Sequence, residues 1–245
     1  MNNYIMNIIG TTTRTNRFDA EGAWGGAKWD GVLNVGMYLF KKRVESQRNP
    51  IFVISEYNPQ WKEIAKKEMD YIKESLSKFP WFKDIQHIGS TSIEGMGAKP
   101  FIDLMLGVTE ESNREDIGAQ LALMGWFHHE HQFFDKVIEN TCLTIHLCSF
   151  DSSYWKCRII FRDHFLKNPE EIKDYTNLKK QLISMGISFD EYVIGKQRYI
   201  YNILLREGLT HEEMRLGLVF YIDPFSTKTI LPKNIYFHFR ENIYG

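Results

Sequence analysis

The segment His87–Leu106, HIGSTSIEGMGAKPFIDLML, constrains the fold of this chain more than any other. Its second half alternates. Phe101, Asp103 and Met105 fall on one face of a strand, and Ile102, Leu104 and Leu106 on the other. The second set is apolar throughout and calls for a covering layer. Asp103 stands alone among apolar neighbours, and a carboxylate there is costly unless it is paired, hydrogen-bonded or bound to a metal. The first half supplies a small-residue turn, Gly89-Ser90-Thr91-Ser92. Such a turn can present backbone N–H groups and hydroxyls to an anion, or it can be no more than a tight connection. It is not a P-loop, because G-x-x-x-x-G-K-[ST] is absent and Lys99 precedes a proline. Thr91 and Glu94 have capping-box spacing, which predicts a brief helix from Thr91, ended by Gly95, Gly97 and Pro100.

The flanking segments place this unit in an α+β fold, a mixed sheet flanked by helices. IFVISEY (51–57) reads as a short strand. Asn58-Pro59 opens a helix in which Trp61, Ile64, Ala65, Met69, Ile72, Leu76 and Phe79 keep the helical period, and Pro80 ends it. DIQHIG and FIDLMLGV read as strands, and REDIGAQLALMG as a helix closed by a glycine. WFHHEHQFFDKVIE and CLTIHLCSF read as one strand each. Helices follow from near Tyr154 to Leu205, and GLVFYIDPF and NIYFHF in the tail are strand-like. Residues 1–49 are glycine- and tryptophan-rich with little helical period and read as an N-terminal extension. Residues 50–205 read as the main domain and 206–245 as a C-terminal extension.

Composition bounds the function classes. Hydrophobic residues at 43% are enough for a real core. Lysine and arginine total 30 against 31 acids, a net charge of -1, which argues against a broad nucleic-acid footprint and leaves room for a local phosphate site. Cys142, Cys148 and Cys157 are odd in number and lack C-x-x-C spacing, as expected of reduced thiols. The opening MNNYIMNIIGTTTRTN has too short an apolar run for a signal peptide. No stretch approaches the roughly 18 apolar residues of a spanning helix. A cytoplasmic location is expected, with no membrane or nucleic-acid partner.

The turn followed by an in-strand carboxylate suggests a chemistry. A hard cation such as Mg²⁺ takes one or two carboxylates plus substrate phosphates. Asp103 would hold the metal, and the turn would cradle the phosphate, as metal-assisted phosphoryl or nucleotidyl transfer requires. On CLTIHLCSF, Thr144, His146 and Cys148 share a face; beside strand 101–108, His146 would reach Asp103 and orient it, ligate metal or act as base. Arg158 and Arg162 are four apart on one helix face and reach for phosphate or for nearby acids. HHEH (128–131) invites a zinc reading, with His129 and His131 on one face, but no further ligand stands at a recognisable spacing. Tyr175, Leu178 and Leu182 read as core.

Several motifs together, YNPQW, HIGSTSIEGMGAKPFIDLML, IHLC and FRDHFLKNPEEIKDYTNLKK, resemble the GrpB family, from about Ile51 to Leu205. That family also occurs as a C-terminal domain on some dephospho-CoA kinases. The resemblance implies a nucleotidyltransferase-like fold, in which a Gly-Ser pair precedes a metal-binding Asp. Taken with the residue chemistry above, it suggests Gly89, Ser90, Thr91, Ser92, Lys99 and Arg162 for nucleotide binding, and Asp103 and His146 for catalysis, with Asp103 on Mg²⁺ and ATP or another NTP as ligand. This chain departs from the pattern at three places. The second acid of nucleotidyltransferases is Met105 here, an absence GrpB-like proteins share. His-Leu-His becomes His146-Leu147-Cys148. Val-Pro-Gly becomes Ile93-Glu94-Gly95, so Glu94 either replaces a missing acid or caps the short helix. Three functions follow: Mg-dependent nucleotidyl or phosphoryl transfer to a small molecule or protein group; a non-catalytic nucleotide-sensing or folding-accessory module; or an ATP-dependent tailoring step such as amide-bond formation.

Overall fold

A computed structural model describes residues 53–218, apart from 131, 139–140 and 188. The segment 1–49 and the strands expected in the tail beyond Leu218 lie outside the described residues, as do His131 and the side chain of His129.

The described residues form one five-stranded sheet and six α-helices. The strands are β1 (Phe82–Ile88), β2 (Phe101–Val108), β3 (Phe127–Glu130), β4 (Phe133–Ile138) and β5 (Thr141–Ser149), in the order β1-β2-β5-β4-β3. β2 and β5 run parallel and the other pairs antiparallel. The helices are α1 (Gln60–Leu76), α2 (Arg114–Leu123), α3 (Ser153–Lys167), α4 (Ile172–Ser184), α5 (Phe189–Arg206) and α6 (His211–Gly217). The fold is α+β with a mixed sheet.

Local chemistry explains the boundaries. The Asn58 side chain accepts from the Gln60 N–H and Pro59 precedes the first turn of α1. Asn113 and Ser152 cap α2 and α3 in the same way. Thr210 and Glu213 form a complete capping box at α6, a helix within the segment expected to be a C-terminal extension. IFVISEY differs from expectation. Among its described residues only Ser55 pairs, in an isolated bridge to Ala98. WFHHEHQFFDKVIE is a hairpin of two strands rather than one, because its apolar residues do not hold a single alternation across Gln132.

The two faces of the sheet are covered differently. Ile102, Leu104, Leu106, Leu143, Ile145 and Leu147 bury completely or nearly so against α1 and α2. Each such side chain contributes about 1.5–3 kcal/mol. The opposite face carries Asp103, Met105, His146 and Cys148, and α3 covers part of it through Trp155. The indole lies flat enough on β2 that a Cβ on Gly107 would come 2.7 Å from it. The remaining helices α4–α6 complete that layer.

A charged clamp crosses the α1 side. Glu68 accepts from Trp126 Nε1 at 3.1 Å and from Lys136 Nζ at 2.6 Å, with Glu68 buried. Removing one partner of such a group leaves a charge stranded away from water. Glu68→Ala is expected to lower unfolding free energy by about 3 kcal/mol in urea denaturation, and Glu68→Leu with Lys136→Met to recover most of that loss. Equal losses in the single and double variants would contradict the clamp.

Candidate functional site

The register sets the site. Asp103 of β2 pairs with Ile88 of β1 and with Thr144 of β5. His146 lies two pairs further along β5, on the same face as Asp103. Its Nε2 is 3.4 Å from Asp103 Oδ1, and its Nδ1 is 2.7 Å from the Tyr154 hydroxyl of α3. Burial raises the Tyr154 phenol above its ordinary pKa, so it stays protonated and can donate. A carboxylate only accepts, so Nε2–H donates to Asp103, and the Tyr154 hydroxyl holds the ring at Nδ1. Phe133 packs edge-on against that ring with 4.9 Å between centroids. His146 is thereby held as an orienting group for the carboxylate.

The Gly89 turn meets Asp103 from the other side. Gly89 has φ +71° and ψ −174°, a conformation essentially restricted to glycine. A Cβ there would lie 2.7 Å from Asp103 Oδ2. The glycine therefore serves both backbone shape and close approach. The expected helix at Thr91 is a single 3₁₀ turn, Ser90–Ser92. Its hydroxyls divide. Ser92 Oγ donates to the Gly89 carbonyl at 2.6 Å, and Thr91 Oγ1 lies 3.0 Å from His87 Nε2. Both residues are buried, so they shape the turn from within. Burial drives the His87 pKa down to about 4, which keeps that ring neutral. Ser90 alone of the three turns toward the helical layer, where Lys179 Nζ donates to its Oγ at 2.8 Å.

Helix α4 docks on the next part of the loop through Gly97. The Gly97 N–H donates to Thr176 Oγ1 at 3.1 Å, and Lys179 Nζ donates to the Gly97 carbonyl. One turn of helix thus satisfies both polar groups of one residue. A Cβ on Gly97 would come 2.7 Å from Thr176 Cγ2, so this approach also needs glycine. Lys179 is 2% exposed. Burial, and then the like charge of Lys196, bring its pKa down to about 6. Lys196 of α5 is brought down to about 8 by burial, with Asp103 pulling the other way. Lys99 and Lys196 both lie over the Tyr192 ring, at 4.4 and 4.3 Å from its centroid.

The sequence-derived residues separate accordingly. Gly89, Ser90, Asp103 and His146 converge, and Lys99 joins them through Tyr192 and Lys196. Arg162 directs its Nη1 to Gln86 Oε1 (2.8 Å) and the His87 carbonyl (3.1 Å), and its Nε to Asp163 (2.8 Å), so it braces β1 to α3. Arg158 reaches the Tyr154 and Gly217 carbonyls. Glu94 is exposed and paired with Lys62, away from Asp103. Met105 is fully buried with Ile88, Cys148 and Trp155. Sequence reasoning missed Lys179 and Lys196. One signal was available: Lys179 stands on the apolar stripe of α4 with Tyr175 and Leu182, where a lysine is out of place. It also missed Asp135, buried on β4 and accepting from Thr144 Oγ1 at 2.8 Å. Thr144 stands between Asp135 and Asp103 in the register. The backbones of the two acids are therefore two strand spacings apart, about 9.5 Å, with Thr144 between them.

A family model described as GrpB protein matches residues 51–206. The chain belongs to the GrpB family. It is 30% identical over 164 residues to the glutamate-rich protein GrpB of Alkalihalophilus pseudofirmus, covering 62% of this chain and 93% of that protein. It is 29% identical to the UPF0157 protein YqkA of Bacillus subtilis, covering 69% of this chain and 49% of that protein. The crystal structure of conserved protein GrpB from Enterococcus faecalis superposes with a TM-score of 0.53 at 26% identity, over 63% of this chain and 96% of that one. Among the described residues no helix is long and apolar enough to cross a membrane.

Two outcomes test the geometry. Gly89→Ala is expected to destabilise the protein by about 1–3 kcal/mol, from the strained backbone alone, and more if the Asp103 carboxylate must move; a urea midpoint equal to wild type would contradict it. The second concerns Lys179. Its folded pKa of about 6 lies below its ordinary 10.5, so between those values the unfolded chain binds the extra proton. Stability from this group therefore rises with pH across that window and is lost as pH falls toward 6. Unfolding free energies at pH 6.5, 8 and 9.5 should show wild type gaining on Lys179→Met as pH rises; parallel curves would contradict the assignment.

Proposed function

We propose that this chain binds a nucleotide through its phosphates at the Gly89–Ser90 turn and carries out a Mg²⁺-dependent nucleotidyl or phosphoryl transfer to a small-molecule or protein acceptor. The observation that carries the reading is the Asp103 carboxylate, one-third exposed, seated against a glycine turn that admits no side chain and oriented by His146. The donor set suits one hard cation. Among the described residues no group of three or more His, Cys, Asp or Glu gathers to hold a metal. Asp103 would supply one protein ligand, and phosphate oxygens and water the rest. Bound there, Mg²⁺ supplies charge neutralisation at the phosphates. Ser90 contributes a hydroxyl to the same wall, and His146 keeps the carboxylate aimed by donating from Nε2–H.

A second reading has its own support. Met105 is buried in the apolar cluster where nucleotidyltransferases place a second acid, and Asp135 is two strands removed. A nucleotide-binding module without transfer chemistry fits those two facts. Release of pyrophosphate or phosphate in the presence of acceptor candidates separates the two.

Thermal unfolding with each of the four NTPs, with and without Mg²⁺, tests the common core of both readings, since a ligand that binds only the folded state raises stability. The expected result is a magnesium-dependent rise in Tm with at least one NTP, absent in Asp103→Ala. A well-folded wild type that no nucleotide stabilises would sink the proposal.

A further inference from the structure

We infer that Lys179 and Lys196, projecting from α4 and α5, form with Lys99 a cationic rim that takes the negative charge of a di- or triphosphate chain. The inference rests on the phosphate-binding reading above and names the groups that serve it, in the place the sequence assigned to Arg162.

Around one turn the fold gathers three lysines, Lys179 on Ser90 and Lys99 and Lys196 on the Tyr192 ring, and the Asp103 carboxylate acts on Lys196. Neither Lys179 nor Lys196 makes a salt bridge among the described residues. Lys179 is among the largest fully buried side chains of the protein. A desolvated ammonium without a counter-ion is costly, and two side by side are worse, unless they lose their protons or an anion binds. Burial lowers the pKa of both amines, and the like charge of Lys196 lowers that of Lys179 further. Structural lysines of this kind normally pair with an acid, as Lys136 does with Glu68.

The placement of the rim is built, not incidental. Gly195 precedes Lys196, and a Cβ there would come 2.6 Å from Leu182 of α4. That close helix contact sets Lys196 beside Lys179. Lys179 is pinned to Ser90 Oγ and the Gly97 carbonyl, so its amine points at the turn and not at solvent. Lys99 enters from the loop and shares the Tyr192 ring with Lys196, so their ammonium groups are no farther apart than the sum of the two ring distances. Single-charge anions need one such contact. Several amines and a hydroxyl around one carboxylate suit a compact, multiply charged anion, with Asp103 left to the metal. Lysine serves as a point charge for phosphate in this way.

Isothermal titration with inorganic pyrophosphate, in the absence of Mg²⁺, tests the rim without a nucleoside. Wild type should bind, with affinity falling steeply as salt rises. Lys196→Gln and Lys179→Met should each weaken binding about tenfold or more, the loss of one charge-assisted contact. Pyrophosphate should also protect Lys196 of wild type from acylation by an amine-reactive ester, read by mass spectrometry, a readout that needs no variant to fold. Unchanged affinity in both folded variants, or labelling of Lys196 that pyrophosphate leaves unaltered, overturns the inference. The two proposals fail separately. Asp103-dependent nucleotide binding with no Lys196 dependence removes the rim and leaves the nucleotide reading. Lys196-dependent pyrophosphate binding with no nucleotide effect does the reverse.

Discussion

The docking of α4 on the loop at Gly97 is the contact on which the rest of the site depends. Thr176 and Lys179, one helical turn apart, take the N–H and the carbonyl of a single glycine. Through that contact the helical layer holds the loop whose other end, at Gly89, lies against Asp103. A buried backbone group must find a partner, and here a side chain hydroxyl and an amine supply it. The amine also reaches Ser90, so loop, turn and helix become one polar unit inside an otherwise apolar layer of Ile93, Met96, Phe165 and Tyr175.

The electrostatics of the site follow from that burial. On the sheet side, Asp103 faces an imidazole fixed by Tyr154. On the helix side it acts on Lys196, an amine whose charged form burial disfavours, as burial also does for Lys179. His87 beneath the turn is also held neutral. Burial therefore works against positive charge on Lys179 and Lys196 until something anionic enters the site. A region so arranged responds to an incoming anion more strongly than a solvated surface would, because low local dielectric strengthens each interaction.

Much of this was legible in the residues. Alternation in FIDLMLGV gave the two faces of β2, and the spacing in CLTIHLCSF put His146 on the matching face of β5, where the structure holds it 3.4 Å from Asp103. Asn58-Pro59, Gly125 and Pro169 marked helix boundaries as turn chemistry says they should. The hydroxyls of Thr91 and Ser92 were harder. Their types suit a ligand or an internal turn equally, and only the position of His87 and the Gly89 carbonyl turns them inward. Arg162 likewise has the chemistry of a phosphate contact, yet β1 claims its donors.

By itself the sequence determined the elements, the α+β class, the family and the pairing of a glycine turn with an in-strand carboxylate, because periodicity and turn preference are local properties of the chain. The tertiary structure decided which charges share the site. Lys179 and Lys196 lie 76 and 93 positions beyond Asp103 in the chain, and Asp135 is separated from it by Thr144 of another strand. Whether such groups meet depends on which helix packs on which loop and on the order of strands in the sheet. Those are set by the packing of apolar surfaces far from the charges themselves, so a local pattern can mark Lys179 as out of place on its helix but cannot say which groups it meets.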